Sequence, residues 1–335
     1  MTALQLAFAG VDGLPAHHLS VDGMSPRGPN LSHWPGNRTP RRFKADLSTG
    51  ICLRFARSPR DVQSAFLDGA TVVLNDHYDT DGFLSLLAVL RPEVALAREE
   101  RLLAAAATGD FQTFQTRHAF AIDRIVKHLA DGSLPEVAAE FDGLDGAARS
   151  LARYRWLLAH AELVLDEPAT FAACYQDELD RVETQIQAAL NGAIERELVP
   201  SAHLSILTTH SDVDRMVLNT FAAAYRVLHV CVADDGTRFR YHDRTESWFE
   251  MVTIAPPARR DLRPLAERLQ VEEGEHGPGR WCADPPTEPV PELYFGLPGD
   301  QEYGAVTRSL LPSRLDRRTV ERAFATFLGE RDRIE

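Results

Sequence analysis

The sequence lacks the features that define several large protein classes. Its four cysteines (Cys52, Cys174, Cys231 and Cys282) are far apart and form no Cys-x-x-Cys pair, which excludes a zinc ribbon and a dense disulfide framework. No apolar run approaches the ~20 residues that a membrane helix needs, and the first ten residues lack the basic and long apolar segments of a signal peptide. The G-x-G-x-x-G, Walker A and G-x-S-x-G patterns are also absent. We therefore expect a cytoplasmic protein with free cysteines and no membrane partner.

Positive charge is scarce. The 335 residues include 36 Lys+Arg against 49 Asp+Glu, a formal net charge of −13, and the only lysines are Lys44 and Lys127. Long nucleic acids are bound by neutralising many phosphates, so this balance argues against such a partner. A small anionic substrate could still be held by a local basic group, and a homo-oligomer is compatible with the composition. The length predicts two domains, or one large domain with decorations.

The first two-thirds of the chain predict an α/β domain with a helical insertion. Residues 1–45 are rich in Gly, Pro, Ser and Asn, which is typical of loops. Strand-like runs follow at Gly50–Ala56 and at Thr71–Leu74, the latter β-branched and apolar. Pro92 suits the first turn of a helix, which we expect to reach Ala107. Apolar residues recur at helical spacing from 112 to about 195, which predicts an all-helical middle section.

The remaining third alternates strands and helices. We expect strands at His203–Leu207, Arg226–Val232, Arg238–His242 and Glu246–Ile254, and helices at Val213–Ala224, Asp261–Leu269 and Asp316–Leu328. The predicted fold class is α/β: a mostly parallel sheet with helices on both faces, a helical insertion and a smaller C-terminal α+β part. The predicted domains are a metal-binding α/β domain at residues 1–200 and an α+β region at 201–335 that could complete the same sheet.

The block Asn75-Asp-His-Tyr-Asp-Thr-Asp-Gly82 is the most informative part of the sequence. It places the polar side chains of Asp76, His77, Asp79 and Asp81 between an apolar strand and an apolar helix, where ligands bind in open α/β sheets. Like charges at this density raise each other's pKa, a cost that a divalent cation removes. Asp79 or Asp81 could instead cap the helix. The mixed oxygen and nitrogen donors favour Mn²⁺ first, with Fe²⁺ or Mg²⁺ as alternatives.

This block resembles the first motif of the DHH phosphoesterase superfamily, which includes pyrophosphatases, RecJ-like nucleases and cyclic-dinucleotide phosphodiesterases. The resemblance implies that His77, Asp79 and Asp81 bind metal in a two-manganese centre, with Asp110 as the aspartate of the second motif. It covers this stretch only, and the Asp-His-His triplet of the superfamily is absent. The blocks His33-Trp-Pro-Gly-Asn-Arg-Thr-Pro40 and Asp46-Leu-Ser-Thr49 are similar to those of uncharacterised bacterial proteins.

Further candidates lie outside the block. His210, in His210-Ser-Asp-Val-Asp214, could supply a missing metal ligand, although this segment also suits a helix N-cap. We interpret Asp76 and His160 as the candidate catalytic residues. The substrate-binding candidates are Asn37, Thr39, Arg41 and Arg42, which lie in a local basic cluster with Arg38 and Lys44. Arginine forks match phosphate oxygens, although such a cluster can also be a solvated loop.

Three functions are compatible with these features. The first is a metal-dependent hydrolase of a small phosphate ester or anhydride. The second is a mononuclear non-haem iron oxygenase whose triad combines His77 and Asp79 with a distant His160 or His210. The third is a non-enzymatic binding or assembly protein in which the acidic block only caps helices. Metal content distinguishes the third from the others.

Overall fold

The chain divides into two units that have their own internal contacts. The computed structural model describes residues 4–11, 16–132, 134, 137, 139–298 and 308–330. Unit 1 comprises Met1–Arg181 and Phe249–Ala255, and unit 2 comprises Val182–Trp248 and Pro256–Glu335. The expected boundary at residue 200 thus falls inside unit 2, and a short segment after Trp248 belongs to unit 1.

Unit 1 contains a four-stranded sheet in which every strand is parallel to its neighbours. The strands are β1 (Gln5–Phe8), β2 (Leu19–Val21), β3 (Asn30–Leu31) and β4 (Val72–Asn75), in the order β1-β4-β2-β3. The predicted apolar strand at Thr71–Leu74 corresponds to β4, which lies between two neighbours, as its buried Val73 and Leu74 require. The expectation of loops only in residues 1–45 was wrong, because three strands of two to four residues are too short to show a period.

Two helices of unit 1 lie between β3 and β4 in the chain, and the others follow β4. They are α1 (Ser48–Ala56), α2 (Arg60–Leu67), α3 (Thr80–Leu90), α4 (Pro92–Leu96), α5 (Glu99–Asp110), α6 (Arg117–Asp131), α7 (Gly146–Ala159), α8 (Ala161–Asp166) and α9 (Ala172–Ala188), which continues into unit 2. The apolar α3 is buried along most of its length and contacts α1, α5 and the strands. The chain that follows β4 therefore enters the core of unit 1 as helix α3.

Two predictions about local structure in unit 1 were wrong. Gly50–Ala56 belongs to helix α1 and not to a strand, because nearly the whole segment is buried and its apolar run carries no period that separates helix from strand. The single helix expected from Pro92 to Ala107 is interrupted between α4 and α5, where Arg98 leaves helical geometry.

Unit 2 contains a separate six-stranded mixed sheet. Its strands are β5 (Glu195–Val199), β6 (Leu204–Thr209), β7 (Arg226–Ala233), β8 (Gly236–Asp243), β9 (Arg280–Ala283) and β10 (Glu292–Gly296), in the order β5-β6-β7-β8-β10-β9. Only the β6–β7 pair is parallel. The helices are α10 (Arg215–Phe221), α11 (Arg263–Glu273) and α12 (Arg317–Gly329), and α11 and α12 contribute to the apolar core of this sheet.

The C-terminal strands therefore do not complete the sheet of unit 1. The broader prediction of an α/β protein is confirmed. The strand expected at Glu246–Ile254 is also absent: a short 3-10 turn at Thr245–Ser247 is followed by irregular chain. The reason is tertiary, since Glu250 donates its backbone amide to the carbonyl of His33, and the amides of Val252 and Thr253 bond to Asp46. Within the described ranges, no helix has both the length and the apolar character needed to cross a membrane.

Candidate metal centre

Three of the four strands of unit 1 end at residues that converge on one place. Asp22 follows β2 directly, His33 follows β3, and the acidic block follows β4. Because parallel strands present their carboxyl ends at the same edge of the sheet, these residues share that edge. The order of the strands places β4 beside β2, and β2 beside β3. The topology therefore assembles side chains that lie more than fifty positions apart in the sequence.

Two groups of possible ligand atoms occur at this edge. In the first group, one atom each from Asp22, His33, Asp81 and Asp110 lies within 4.8 Å of the others. The second group consists of Asp22, His77 and Asp79, under the same limit. Asp22 belongs to both groups, so its carboxylate stands between two potential cation positions. The first group is almost completely buried, whereas the second is partly open to solvent.

His33 is oriented by contacts on the side of the ring that faces away from the carboxylates. Its Nδ1 lies 2.7 Å from the carbonyl oxygen of Asp46, and its ring stacks on Phe249 with centroids 3.7 Å apart. The Nδ1–H bond to a carbonyl leaves Nε2 as the atom with a free lone pair. This Nε2 lies 3.3 Å from Asp110 and 3.7 Å from both Asp22 and Asp81. The geometry is that of a metal-ligating histidine with an outer hydrogen-bond partner.

His77 has the same arrangement around its ring. Its Nδ1 lies 2.9 Å from Oδ1 of Asp76, while Nε2 lies 3.0 Å from Asp79 and 3.3 Å from Asp22. The ring of Trp34 covers one side of the imidazole, with centroids 4.7 Å apart. A carboxylate that accepts the Nδ1 proton directs the Nε2 lone pair into the group of ligand atoms.

Asp79 and Asp81 are both hydrogen-bonded to backbone amides at helix starts. Oδ1 of Asp79 accepts from the amide of Gly82 at 2.8 Å and caps α3. The two oxygens of Asp81 accept from the amides of Ser48 and Thr49, at the first turn of α1, each at 2.8 Å. The helix-cap interpretation and the ligand interpretation are therefore compatible, because a carboxylate has further lone pairs after one amide bond to each oxygen.

Glycine is required at two positions beside the centre. A Cβ at Gly23 would lie 2.1 Å from Oδ1 of Asp76, the carboxylate that holds His77. A Cβ at Gly82 would lie 2.4 Å from the hydroxyl of Tyr154 and 2.5 Å from the amide nitrogen of Asn75. Gly82 thus serves close packing.

Asp22 occupies an unfavourable backbone region. Its φ is 45°, in the left-handed region that residues other than glycine rarely adopt. Its amide donates to the carbonyl of Leu31, and its own carbonyl accepts from the side chain of Asn75. Strained backbone of this kind is concentrated at functional sites, where the surrounding structure holds it.

The electrostatics of the cluster are unfavourable without a cation. Burial, followed by repulsion from Asp79 and Asp81, raises the pKa of Asp22 well above its usual value. Burial and the same two carboxylates also raise the pKa of Asp110. Burial by itself lowers the pKa of His77, but the charge of Asp79 and contacts with other carboxylates raise it well above normal. A cation would reverse the raised carboxylate pKa values, since positive charge favours the ionised form.

The buried polar atoms provide a second, independent reason to expect a cation. Both carboxylate oxygens of Asp22 and Nε2 of His33 are buried and form no hydrogen bond of normal geometry with any described residue. Buried polar groups are nearly always bonded, so such atoms at the centre of a site indicate an ion or water. Three carboxylates and one imidazole are suitable ligands for a divalent cation, and the residues present fit this group.

The structure brings His77, Asp79, Asp81 and Asp110 of the predicted ligands together, but not His210. His210 lies in unit 2, where its ring is exposed and its Nδ1 is 3.3 Å from the carbonyl oxygen of Val232. The cap of the following helix is Asp214, whose carboxylate accepts from the amide of Met216. His210 is in neither group of ligand atoms.

The two expected catalytic residues have different surroundings. Asp76 is part of the centre through His77. His160 stacks on Trp156, and its Nδ1 lies 2.9 Å from the carbonyl oxygen of that residue at the end of α7. It is in neither ligand group, so the described residues do not assemble the His-Asp-His triad that an iron oxygenase would need.

Two of the four predicted substrate-binding residues, Asn37 and Thr39, have contacts within their own part of unit 1. Thr39 accepts from the amide of Ser32 and donates to its carbonyl, each at 2.8 Å, and Asn37 bonds to the carbonyl of Trp34 and to Glu250. Both hold the loop that carries His33. Arg41 and Arg42 are exposed. A loop without regular structure uses polar side chains to satisfy its own backbone, which accounts for the contacts of Asn37 and Thr39.

The sequence did not indicate Asp22 and His33 as candidate ligands, although signals existed for both. His33 lies in the block His33–Pro40, which is similar to that of other bacterial proteins. Asp22 is followed by Gly23, as Asp81 is followed by Gly82 in the acidic block. A three-residue strand gives no period, so this second strand end could not be distinguished from a loop.

Comparisons with known proteins give a family but no function. A family model described as "Family of unknown function (DUF6687)" matches residues 5–334. No curated protein and no solved structure matches the chain.

Proposed function

The chain belongs to the DUF6687 family, and from its geometry we propose that it is a metal-dependent hydrolase of a small phosphate ester or anhydride. One observation carries the proposal: Asp22 is shared by two groups of ligand atoms, and its buried oxygens have no hydrogen-bond donor of normal geometry among the described residues. Sites of two metals joined by a carboxylate are typical of phosphatases and nucleases. The resemblance of the acidic block to the DHH phosphoesterases supports the same reaction class.

The charge of the centre favours two divalent cations over one. The two groups together contain four carboxylates, those of Asp22, Asp79, Asp81 and Asp110. Two dications balance this charge, whereas one leaves two negative charges buried, which is costly in a medium of low polarity. The pKa values of Asp22 and Asp110, raised by burial and by neighbouring carboxylates, express that cost.

The two positions are unequal, and the difference assigns them different roles. The group around His33 has four protein ligands and is nearly closed to solvent, as is usual for a tightly held ion. The group around His77 has three, and the side chains of His77 and Asp79 are 26% and 38% exposed. A position with fewer protein ligands and access to solvent can accept water or substrate.

Divalent cations at these positions would supply Lewis acidity, polarising a phosphoryl oxygen and lowering the pKa of water. The chain's own residues hold the geometry. With a cation at the open position, Asp76 would accept the Nδ1 proton of His77 and leave Nε2 to the cation. The carbonyl of Asp46 does the same for His33. Carboxylates with two imidazoles, and no thiolate, favour Mn²⁺ over thiolate-seeking metals.

The experiment that tests this proposal is elemental analysis of Asp22→Asn. We expect two Mn²⁺ per unmodified chain and a loss of both in the variant, because Asp22 contributes to both positions. Asparagine tolerates the left-handed backbone, so the fold should be retained. Asp68→Asn is the matched control, since Asp68 has a φ of 48° and lies exposed outside the centre.

The same proteins then test the reaction. Release of inorganic phosphate from pyrophosphate and from p-nitrophenyl phosphate should require Mn²⁺, should persist in Asp68→Asn and should disappear in Asp22→Asn. Two bound Mn²⁺ without hydrolysis of any phosphate ester would favour a binding protein with a structural metal centre. An unmodified chain that binds no metal would refute the proposal.

A further inference from the structure

A small cavity adjoins the metal centre inside unit 1. It has a volume of about 120 Å³. Asp79 and Asp110, one from each group of ligand atoms, line one part of it, and Asp123 and Lys127 of α6 line another. The cavity therefore places a cationic side chain in the same space as two candidate metal ligands.

The size of the cavity restricts what it can hold. One water needs at least about 10–15 Å³ of cavity volume, whereas pockets for whole organic ligands span roughly 300–1,000 Å³. At about 120 Å³, this cavity has room for several waters or one tetrahedral oxyanion, and not for a nucleotide or a sugar. Only the reacting end of a larger substrate could enter.

The charged side chains of the cavity are linked to further charges on α6 and α9. Lys127 Nζ lies 2.9 Å from Asp123 Oδ2, and Arg124 bonds the same carboxylate at 2.6 Å. Arg124 also pairs with Glu178 at 2.8 Å, and Arg181 lies 3.8 Å from Glu178. Of the described lining residues, Lys127 is cationic and Asp79, Asp110 and Asp123 are carboxylates, so the cavity is net negative without metal. Thr80 donates to the other oxygen of Asp123 at 2.7 Å, so that the carboxylate is satisfied without the lysine.

The other charged groups of the cavity make anion binding depend on metal. Asp79 and Asp110 repel an anion as long as they carry uncompensated negative charge. Cations bound at the centre would invert the local field, and Lys127 would then add to their attraction. The side chain of Lys127 is 48% exposed, so it can be reached from solvent.

We propose that this cavity is the site of a single phosphoryl group and that Lys127 binds its oxygens. The inference rests on the proposed function, and it specifies the substrate class: a molecule whose terminal phosphoryl group alone enters, with the remainder left outside. An ammonium is a compact point charge with three donors, which is suited to a tetrahedral oxyanion.

The test uses the fact that the chain has only two lysines, Lys44 and Lys127. The Mn²⁺-loaded protein is acetylated with acetic anhydride at increasing inorganic phosphate, and both lysines are quantified by peptide mass spectrometry. Phosphate should protect Lys127 and leave Lys44, which pairs with Glu250, unchanged. Without Mn²⁺, phosphate should protect neither lysine. Equal acetylation of Lys127 with and without phosphate on the loaded protein would overturn the inference.

Substitutions provide a second measurement. Lys127→Met should weaken phosphate binding to the Mn²⁺-loaded protein about tenfold, which corresponds to ~1.4 kcal/mol. Lys127→Arg keeps the charge and should restore most of the affinity, and Lys44→Met is the matched control. Thermal unfolding of each variant separates a loss of binding from a loss of fold.

The outcomes distinguish the two proposals. Two bound Mn²⁺ with unchanged phosphate affinity in Lys127→Met would refute the cavity assignment and leave the metal centre intact; the cavity would then be a water-filled gap. If the unmodified chain bound no Mn²⁺, both proposals would fail together.

Discussion

At the candidate metal centre, the contacts of each polar atom of a side chain indicate the role of that residue. His77 is the clearest case, because its two nitrogens face different groups: Nδ1 faces Asp76, and Nε2 faces Asp79 and Asp22. Asp76 is itself fixed by the amide of Met24, which donates to Oδ2 at 3.0 Å. Asp76 is therefore a positioning residue that acts through the imidazole.

We expect Asp76→Asn to weaken the binding of one Mn²⁺ about 10–100-fold, the usual effect of losing an outer partner of a ligating histidine. The other Mn²⁺ should bind as before, because His33 is oriented by the carbonyl of Asp46. Calorimetric titration with Mn²⁺ measures both steps. Asp131→Asn, at the exposed aspartate beside His128, is the control for loss of an Asp–His pair elsewhere. Two unchanged binding steps in Asp76→Asn would refute the positioning role.

At the scale of elements, the central strands of unit 2 bury titratable side chains. His229 of β7 is 4% exposed, and its Nε2 lies 2.8 Å from Oγ1 of Thr209 on the adjacent β6. Burial, with a smaller contribution from Arg240, lowers the pKa of His229 to about 4. Burial and nearby arginines also lower the pKa of His242 on β8. The surroundings of both histidines in this sheet therefore favour the neutral form of the imidazole.

This arrangement predicts how the stability of unit 2 depends on pH. A histidine whose pKa is lower when folded than its unfolded value of about 6.5 contributes stability above pH 6.5. That contribution is lost as the pH falls towards 4, since the unfolded chain binds the proton first. At ~1.4 kcal/mol per pKa unit, His229 accounts for about 3 kcal/mol.

His229→Gln should accordingly flatten the fall in stability between pH 6.5 and 4, and other groups of unit 2 with shifted pKa values, His242 and Glu292 among them, account for the remaining slope. Pulse-labelling hydrogen exchange at increasing urea measures this effect for unit 2 alone. The unfolding midpoint is taken from the peptides that contain β7 and β8. His210→Gln, at an exposed histidine of the same unit, should keep the full slope. A slope in His229→Gln equal to that of the unmodified chain would contradict the assignment.

At the scale of the whole molecule, the metal ligands come from one unit only. All six candidate ligands lie in unit 1, on loops at the ends of β2, β3 and β4 and on α3 and α5. A ligand that binds only the folded state stabilises it by mass action, by about 2.7 kcal/mol at a hundred times its Kd. This stabilisation belongs to the unit that holds the ions.

Addition of Mn²⁺ to the chelator-treated protein should therefore slow hydrogen exchange in peptides that contain Asp22, His33 and the acidic block. Peptides from β7 and β8 of unit 2 should be unaffected. Asp22→Asn should abolish the protection. Equal protection of both units, or protection that persists in the variant, would show that Mn²⁺ acts elsewhere on the chain.

How much the sequence determined differs between parts of the molecule. The acidic block after Thr71–Leu74 was recognisable because a buried strand, a polar cluster and an apolar helix follow one another without interruption. The mixed α/β class, the strand at β4 and most elements of unit 2 followed from apolar periodicity and turn residues, which are local properties. Strands β9 and β10 did not, since they lie in a stretch rich in proline and glycine.

Only the tertiary structure decided how the centre is completed. Asp22 and His33 lie on strands of three and two residues, too short for any periodic signal, and they reach the acidic block because parallel pairing aligns the ends of β2, β3 and β4. The same holds for the carbonyl of Asp46 behind His33 and for Lys127 on α6. The candidate ligands of the acidic block could be predicted from the local sequence. The carboxylate shared by both groups and the cavity could not, because they depend on long-range pairing, and strand ends that are neighbours in a sheet need not be neighbours in the chain.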